Sequence, residues 1–302
     1  PKKVHRLQGV RAKLIGRKVE MAQLKEAAGN LQQGNGSTFA VCGTAGTGKS
    51  RLIEEFKSTL DLEVIQWQEG HAYPYAQNIP YFPLINLLNR AFQIEEGDAP
   101  ERIREKVESS IAYLVGETED VVPYIGSLYS LSYPEIENVS PEFWKSKIQK
   151  AIQSILSALA QRGPTVICLE DLHWADPSFL DLIRLILSDS RDPILFLCMY
   201  RPIITLFTSH QIQQMANPYR EIRLQDLSAS ESQDMVESLL NTEDVPPELR
   251  QFVQEKVEGN PFYLEEAANS LIESGTLIHD NGRWRVTRAI TETDISSTIH
   301  GV

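Results

Sequence analysis

The run Thr38-Phe39-Ala40-Val41-Cys42-Gly43-Thr44-Ala45-Gly46-Thr47-Gly48-Lys49-Ser50-Arg51-Leu52-Ile53 decides the fold. Its first five residues form a short apolar run that ends on glycine, the pattern of a buried strand. Gly43 to Ser50 then fits G-x-x-x-x-G-K-[ST], and Arg51 to Phe56 continues with helical character. Strand, glycine-rich turn and helix in register are the context this spacing requires. Glycines let successive backbone N–H groups turn inward around phosphates, and the helix N-terminus adds partial positive charge. Lys49 would reach the β- and γ-phosphates, while the Ser50 hydroxyl would ligate Mg²⁺. Gly43, Thr44, Ala45, Gly46, Thr47, Gly48, Lys49, Ser50 and Arg51 are therefore the expected contacts to ATP or ADP.

Working outward, four more short apolar runs read as strands: Glu63–Trp67, Thr165–Leu169, Ile194–Tyr200 and Arg220–Leu224. The segments between them leave room for crossover helices, as a parallel sheet requires. Ile194-Leu-Phe-Leu-Cys-Met199 is apolar at every position, which suits a strand covered on both faces. Phe143, Trp144, Ile148, Ala151, Ile152, Ile155, Leu156 and Leu159 recur at three and four residues, an amphipathic helix. Ser140-Pro141 starts it and Gly163-Pro164 stops it. The expected fold is α/β, a doubly wound parallel sheet.

A nucleotide site in such a sheet needs acids at the end of a neighbouring strand. Val166-Ile-Cys-Leu169-Glu170-Asp171 supplies them. One carboxylate would hold the Mg²⁺ shell and the other would orient a water for attack on the γ-phosphate. By position Glu170 suits the metal and Asp171 the water, although both acids on the metal is an open alternative. Asp176-Pro177 makes the better start for the next helix, with an Asp cap and Pro at the first helical position. Arg201, closing Met199-Tyr200-Arg201-Pro202, is placed to contact a γ-phosphate from a strand end. His173 receives no catalytic role.

After Leu224 the pattern changes. Ser228–Leu240, Pro247–Val257 and Pro261–Glu273 read as helices without intervening strands, and Leu277–Val286 as a hairpin turning at Asn281-Gly282. The expected division is a basic linker over 1–13, an α/β domain over 14–224 and a small helical domain over 225–302.

The 29 Lys and Arg against 41 Asp and Glu give a net charge of −12, but unevenly. Lys2, Lys3, Arg6, Arg11, Lys13, Arg17 and Lys18 give the first 18 residues +7, leaving −19 for the remainder. The arm reads as a solvated linker, with docking on an acidic neighbour or contact with a phosphate as sharper alternatives. The acidic body argues against coating nucleic acid by bulk charge. The longest apolar run, Ile194–Tyr200, is far short of the about 20 residues a membrane span needs. Cys42, Cys168 and Cys198 lie in apolar runs without metal spacing, which fits reduced thiols in a cytoplasmic chain. An opening at Pro1 without Met, and a stop at Gly301-Val302, suggest a piece of something longer.

Several of these stretches together resemble a family. Leu14-Ile15-Gly16-Arg17-Lys-Val-Glu20, the phosphate loop, Tyr81-Phe82-Pro83-Leu84, Gly163-Pro-Thr-Val-Ile-Cys-Leu-Glu-Asp-Leu-His-Trp-Ala-Asp176-Pro177, Tyr200-Arg201-Pro202 and Gly259-Asn260-Pro261-Phe262 are similar to the STAND-type AAA+ modules of bacterial multidomain signalling proteins. The resemblance implies that Ile15, Gly16 and Arg17 lie against adenine and ribose, that Arg201 senses the γ-phosphate, and that Pro261 packs on the adenine. Mg-ATP would thereby tie the α/β and helical domains together. It further implies a slowly hydrolysing switch in a larger chain, next to a class III cyclase or protein kinase catalytic domain, with self-association open. His5–Val10 could be the connection to such a domain. The family often has Asp-Asp where this chain has Glu170-Asp171, and normally continues into a winged helix where this one stops, at 295–302. A DNA-associated initiator, loader or transcription regulator of the AAA+ class shares the loop and acids. A P-loop kinase would need an acceptor pocket and an Arg-rich lid, and residues 70–140 are mainly aromatic and acidic instead.

Overall fold

The computed structural model describes residues 12–116, 119–280 and 282–291. Lys2, Lys3, Arg6, Arg11, the 5–10 connection, Asn281 of the expected turn and the closing stretch 295–302 lie outside the described residues. In chain order the elements are α1 (Lys18–Gln32), β1 (Ser37–Cys42), α2 (Lys49–Ser58), β2 (Gln66–His71), α3 (Phe82–Ala91), α4 (Pro100–Val115), α5 (Val122–Ser127), α6 (Pro141–Arg162), β3 (Thr165–Glu170), α7 (Pro177–Asp189), β4 (Ile194–Tyr200), α8 (Ser209–Gln214), β5 (Tyr219–Arg223), α9 (Ala229–Leu240), α10 (Pro247–Lys256), α11 (Pro261–Glu273), β6 (Leu277–Asp280) and β7 (Arg283–Val286). None of the described helices is long and apolar enough to cross a membrane.

Backbone contacts sort the chain into two compact units. One comprises residues 23–42 and 59–222 and holds the five-stranded sheet, ordered β2-β3-β4-β1-β5. Strands β2, β3, β4 and β1 pair in parallel, and Cys42 stands opposite Tyr200 in the β1/β4 register. Neighbouring β1 and β4 are far apart in sequence, so the winding reverses there. In an open α/β sheet that reversal places ligands beyond the carboxyl ends of the strands. Every residue of β4 is buried, as its unbroken apolar run requires. At about 1.5–3 kcal/mol for each fully buried large apolar side chain, this strand anchors the core.

Helix α6 forms where its period demands. The Ser140 hydroxyl accepts from the Phe143 N–H at 3.2 Å, and Pro141 takes the first helical position. Ile148, Ala151, Ile152, Ile155, Leu156 and Leu159 face the core, and Gly163, with a positive φ of 154°, ends the helix. Strand β2 differs from expectation: it covers Gln66–His71 rather than Glu63–Trp67. The Asp61 carboxylate accepts from the Glu63 N–H, and its carbonyl from those of Val64 and Ile65. These bonds hold 61–65 in a turn and withhold its N–H groups from the sheet.

The other unit gathers 43–58 with the described parts of 1–22 and 223–302. Its core is built by α9, α10 and α11, with Leu239, Leu249, Leu264, Leu271 and Leu277 buried, and Ala12 joins the cluster from the N-terminal side. Ser228 and Glu231 form a reciprocal capping box that starts α9. Strands β6 and β7 pair antiparallel, and Trp284 donates to the Leu240 carbonyl at 2.8 Å, fastening the hairpin to α9. The two strands fall within the expected hairpin of 277–286.

Candidate nucleotide-binding site

The glycine-rich loop leaves the carboxyl end of β1 and opens α2, whose first residues are Lys49 and Ser50. Gly46 and Gly48 adopt positive φ of 79° and 88°, a backbone that folds the loop inward and favours glycine. The Thr47 hydroxyl donates to the Thr44 carbonyl at 2.9 Å. Lys49 is buried, and its ammonium donates to the carbonyls of Gly43 and Thr44, both at 2.8 Å. The cation is thus held at the loop by neutral acceptors, a position from which phosphate oxygens would make stronger, charge-assisted bonds. Ser50 is exposed at the helix start.

The same unit ties this loop down from three directions. The Asn260 carboxamide donates to the Ala45 carbonyl at 2.9 Å, and its oxygen accepts from the Phe262 N–H at 3.1 Å, capping α11. That N–H also reaches the Gly46 carbonyl at 3.2 Å. A Cβ on Gly46 would lie 2.3 Å from the Asn260 oxygen, so only glycine allows this approach. From the N-terminal side, Arg17 is buried and donates to the carbonyls of Thr47 (3.3 Å) and Gln225. Its guanidinium also lies 3.6 Å from Glu20. Arg51 donates to the Ala12 carbonyl at 3.0 Å. Pro261 is half-buried at the first position of α11, and Ile15 packs on the helical core.

Ile15, Gly16, Arg17, the residues from Gly43 to Arg51 and Pro261 therefore share one unit, while Glu170, Asp171 and Arg201 belong to the other. Glu170 ends β3, with a carboxylate oxygen 3.9 Å from His71 Nδ1. Asp171 follows in a left-handed backbone (φ 57°), strained for a non-glycine residue, with its carboxylate about half exposed and 3.9 Å from His173 Nδ1. Arg201 follows β4, its guanidinium 6.0 Å from the centre of the Trp174 ring. Asp176 is taken up structurally: its carboxylate accepts from the Phe179 N–H that starts α7 and from the Tyr81 N–H at 2.8 Å. Burial raises its pKa, and the backbone donors around it oppose that shift.

The residues fit a polyphosphate. The loop presents an inward backbone, a buried ammonium and a helix N-terminus together, and each of these favours anionic oxygen. Among the described residues no group of three or more His, Cys, Asp or Glu could hold a metal alone. The resemblance gives Pro261 a role and its neighbour Asn260 none. The Asn-Pro dipeptide does carry a legible signal, an Asn cap before Pro at the first helical turn. The reach of that cap to Ala45 carries none.

An α/β sheet with a glycine-rich loop closing on Lys and Ser between strand and helix defines a P-loop nucleotide-binding fold. A family model described as AAA ATPase domain matches residues 13–199, and the chain belongs to that family. Residues 228–285 match a domain of unknown function, DUF8739. Among curated proteins, an uncharacterized protein of Rhizobium meliloti (strain 1021), R02095, is 25% identical over 84% of this chain and 24% of its own length. Hybrid signal transduction histidine kinase G of Dictyostelium discoideum is 25% identical over 59% of this chain and 5% of its own. The chain thus spans a quarter or less of these relatives. Among solved structures, the Aeropyrum pernix ORC1 protein in complex with DNA aligns with a TM-score of 0.48 at 14% identity, over 92% of this chain and 64% of that one. The Pyrococcus horikoshii Signal Transduction ATPase with Numerous Domains (STAND) protein PH0952, with a tetratricopeptide repeat sensor, aligns with a TM-score of 0.43 at 13% identity, over 86% of this chain and 31% of that one.

Proposed function

We propose that this chain is a cytoplasmic module that binds ATP or ADP with Mg²⁺, hydrolyses ATP slowly, and serves as a switch within a larger signalling protein. The observation that carries the reading is the phosphate loop itself. It is shaped for polyphosphate, and residues from the helical region and the N-terminal segment are fastened to its carbonyls. A ligand that rearranges the loop must rearrange those bonds, which is the physical content of a switch.

In this reading Lys49 and the loop N–H groups hold the β- and γ-phosphates, and Ser50 offers its hydroxyl to the metal. Bound Mg²⁺ supplies neutralisation of charge on the transferring phosphoryl group. Glu170 completes the metal shell, Asp171 positions the attacking water, and Arg201 reports the γ-phosphate. Ile15, Gly16 and Pro261 flank the adenine. Arg17 is already engaged by Thr47 and Gln225, so it acts by holding the loop to the segment that starts the helical region. Slow turnover follows because no arginine is assigned to stabilise the transition state. The match to a hybrid signal transduction histidine kinase supports a signalling parent, and a cyclase or kinase neighbour is part of the proposal.

The test is to denature the purified chain and identify released nucleotide by chromatography, with calorimetric titration of ATP alongside. Co-purified ADP, or ATP binding that needs Lys49, is the expected result. An empty protein that gives no heat with ATP or ADP would overturn the reading. Salt-dependent binding of generic duplex DNA would favour an initiator-type role instead.

A further inference from the structure

A cavity of about 200 Å³ opens between α9 and α10. Val236, Val245, Val253 and Val257 supply apolar wall, and Leu227 and Gly259 also line it. Ser232, Gln233, Gln254 and Glu258 add polar wall, and Arg250, with its side chain 39% exposed, contributes a buried donor. One of its terminal nitrogens donates to the Glu243 carbonyl at 2.9 Å and lies 3.7 Å from Glu237, while its Nε–H is buried without an acceptor among the described residues. Buried donors are seldom left unmatched, because an unmade bond costs more than a made one contributes.

We infer that this cavity is a binding site for a small uncharged aliphatic molecule bearing one carbonyl oxygen, and that its occupancy is coupled to the nucleotide site. Size sets the first limit: an apolar cavity of about 150 Å³ accepts benzene, so this one takes roughly seven to ten non-hydrogen atoms. The valines set the second, asking for a branched or short aliphatic body. Arg250 sets the third. Its charge already faces Glu237, and Glu258 also lines the cavity, so a carboxylate ligand would meet anions. A neutral carbonyl satisfies Nε–H without adding charge.

The coupling rests on the nucleotide reading above and on chain geometry. The Leu227 N–H donates to the Gly259 carbonyl at 2.7 Å, joining two residues of the cavity lining. Gly259 has φ 82°, and a Cβ there would lie 2.2 Å from the Leu227 carbonyl oxygen. The next residue is Asn260, whose side chain holds Ala45 in the phosphate loop. A ligand that fills the cavity stabilises the arrangement in which Asn260 grips the loop. Nucleotide bound to that arrangement must in turn favour the ligand by the same factor.

The experiment uses the full 302-residue chain with methyl-labelled valine and isovaleramide as probe, read by NMR without nucleotide, with isovalerate as the charged control. The expected result is saturable shifts of cavity valine methyls with isovaleramide, and weaker or no shifts with isovalerate. Arg250→Met should weaken the amide about tenfold. Val253→Phe, which fills the cavity, should abolish binding. Absence of saturable shifts in the wild type, or equal affinity in Arg250→Met, would overturn the site, leaving a water as the partner of Nε. In a second arm, saturating isovaleramide should tighten ADP binding about fivefold. Unchanged ADP affinity would overturn the coupling alone. Failure of ADP to bind at all would strike the nucleotide reading and remove the coupling with it, while the methyl titration still decides the cavity.

Discussion

The Asn260 side-chain amide donates to the carbonyl of Ala45 at 2.9 Å, joining positions 215 residues apart. The same side chain caps α11 through its oxygen. One residue therefore does two separable jobs, since the donor serves the loop and the acceptor serves the helix. Asn260→Asp keeps an oxygen for the cap but sets a carboxylate against the Ala45 carbonyl, whereas Asn260→Ala removes both bonds. We expect the Ala variant to lose about 1 kcal/mol of stability, the usual scale for a lost cap. The Asp variant should keep most of that stability yet bind ADP more weakly than wild type. Thermal melts and ADP calorimetry on both variants check the split.

Lys49→Ala should cut ATP affinity by at least tenfold, because its ammonium brings charge directly to the phosphates. Circular dichroism should show the fold intact, and calorimetry reads the affinity.

Asp171→Asn should leave ATP affinity within about threefold while slowing phosphate release at least tenfold, since a water-positioning carboxylate acts on the chemical step. Single-turnover phosphate release separates the two quantities. Wild-type release in the variant would remove Asp171 from that role.

Burial pushes the Cys198 thiol up to about 12, and Cys42 and Cys168 are buried with it. At pH 8 an exposed thiol is partly thiolate and reacts. Native protein should therefore resist a thiol reagent on the scale of minutes and take up three equivalents after denaturation. Fast labelling of the native chain would contradict the packing of β1, β3 and β4.

The Ser228 hydroxyl and N–H, with Arg17 as a lesser cause, hold the Glu231 carboxyl below the usual carboxylate range. A depressed folded-state value stabilises the protein above the unfolded pKa of about 4.3 and loses that contribution as pH falls through the folded value. Glu231→Gln should accordingly melt lower than wild type near pH 7, with the gap closing toward pH 3. Melting curves across that range give the answer.

Much of the fold was legible because its signals are local. β4 is apolar at every position, and Ser140-Pro141 and Asp176-Pro177 mark helix starts that form where expected. Strand β2 was misplaced because Asp61 draws the following N–H groups into a turn, a competition invisible to apolar counting. The loop was legible from spacing alone. Its supports were not: Arg17 reaching Thr47 and Gln225, or Asn260 reaching Ala45, depend on which carbonyls the fold brings near. The resemblance set Arg17 beside the nucleotide. In the structure its guanidinium already donates to two carbonyls, and the charge pattern of the arm held no sign of that.

The way the chain threads its two units has a consequence for ancestry. The unit that carries the phosphate loop is assembled from 43–58 and the described parts of 1–22 and 223–302, with the sheet encoded in the intervals. A recombination event that exchanged only the last eighty residues or so would bring in a new α11 without the loop its cap must meet. The three segments must then stay compatible with one another, because the Asn260–Ala45 and Arg17–Thr47 bonds run between them. Chimaeras between relatives that swap all three segments together should fold and bind nucleotide better than those that swap the C-terminal segment alone.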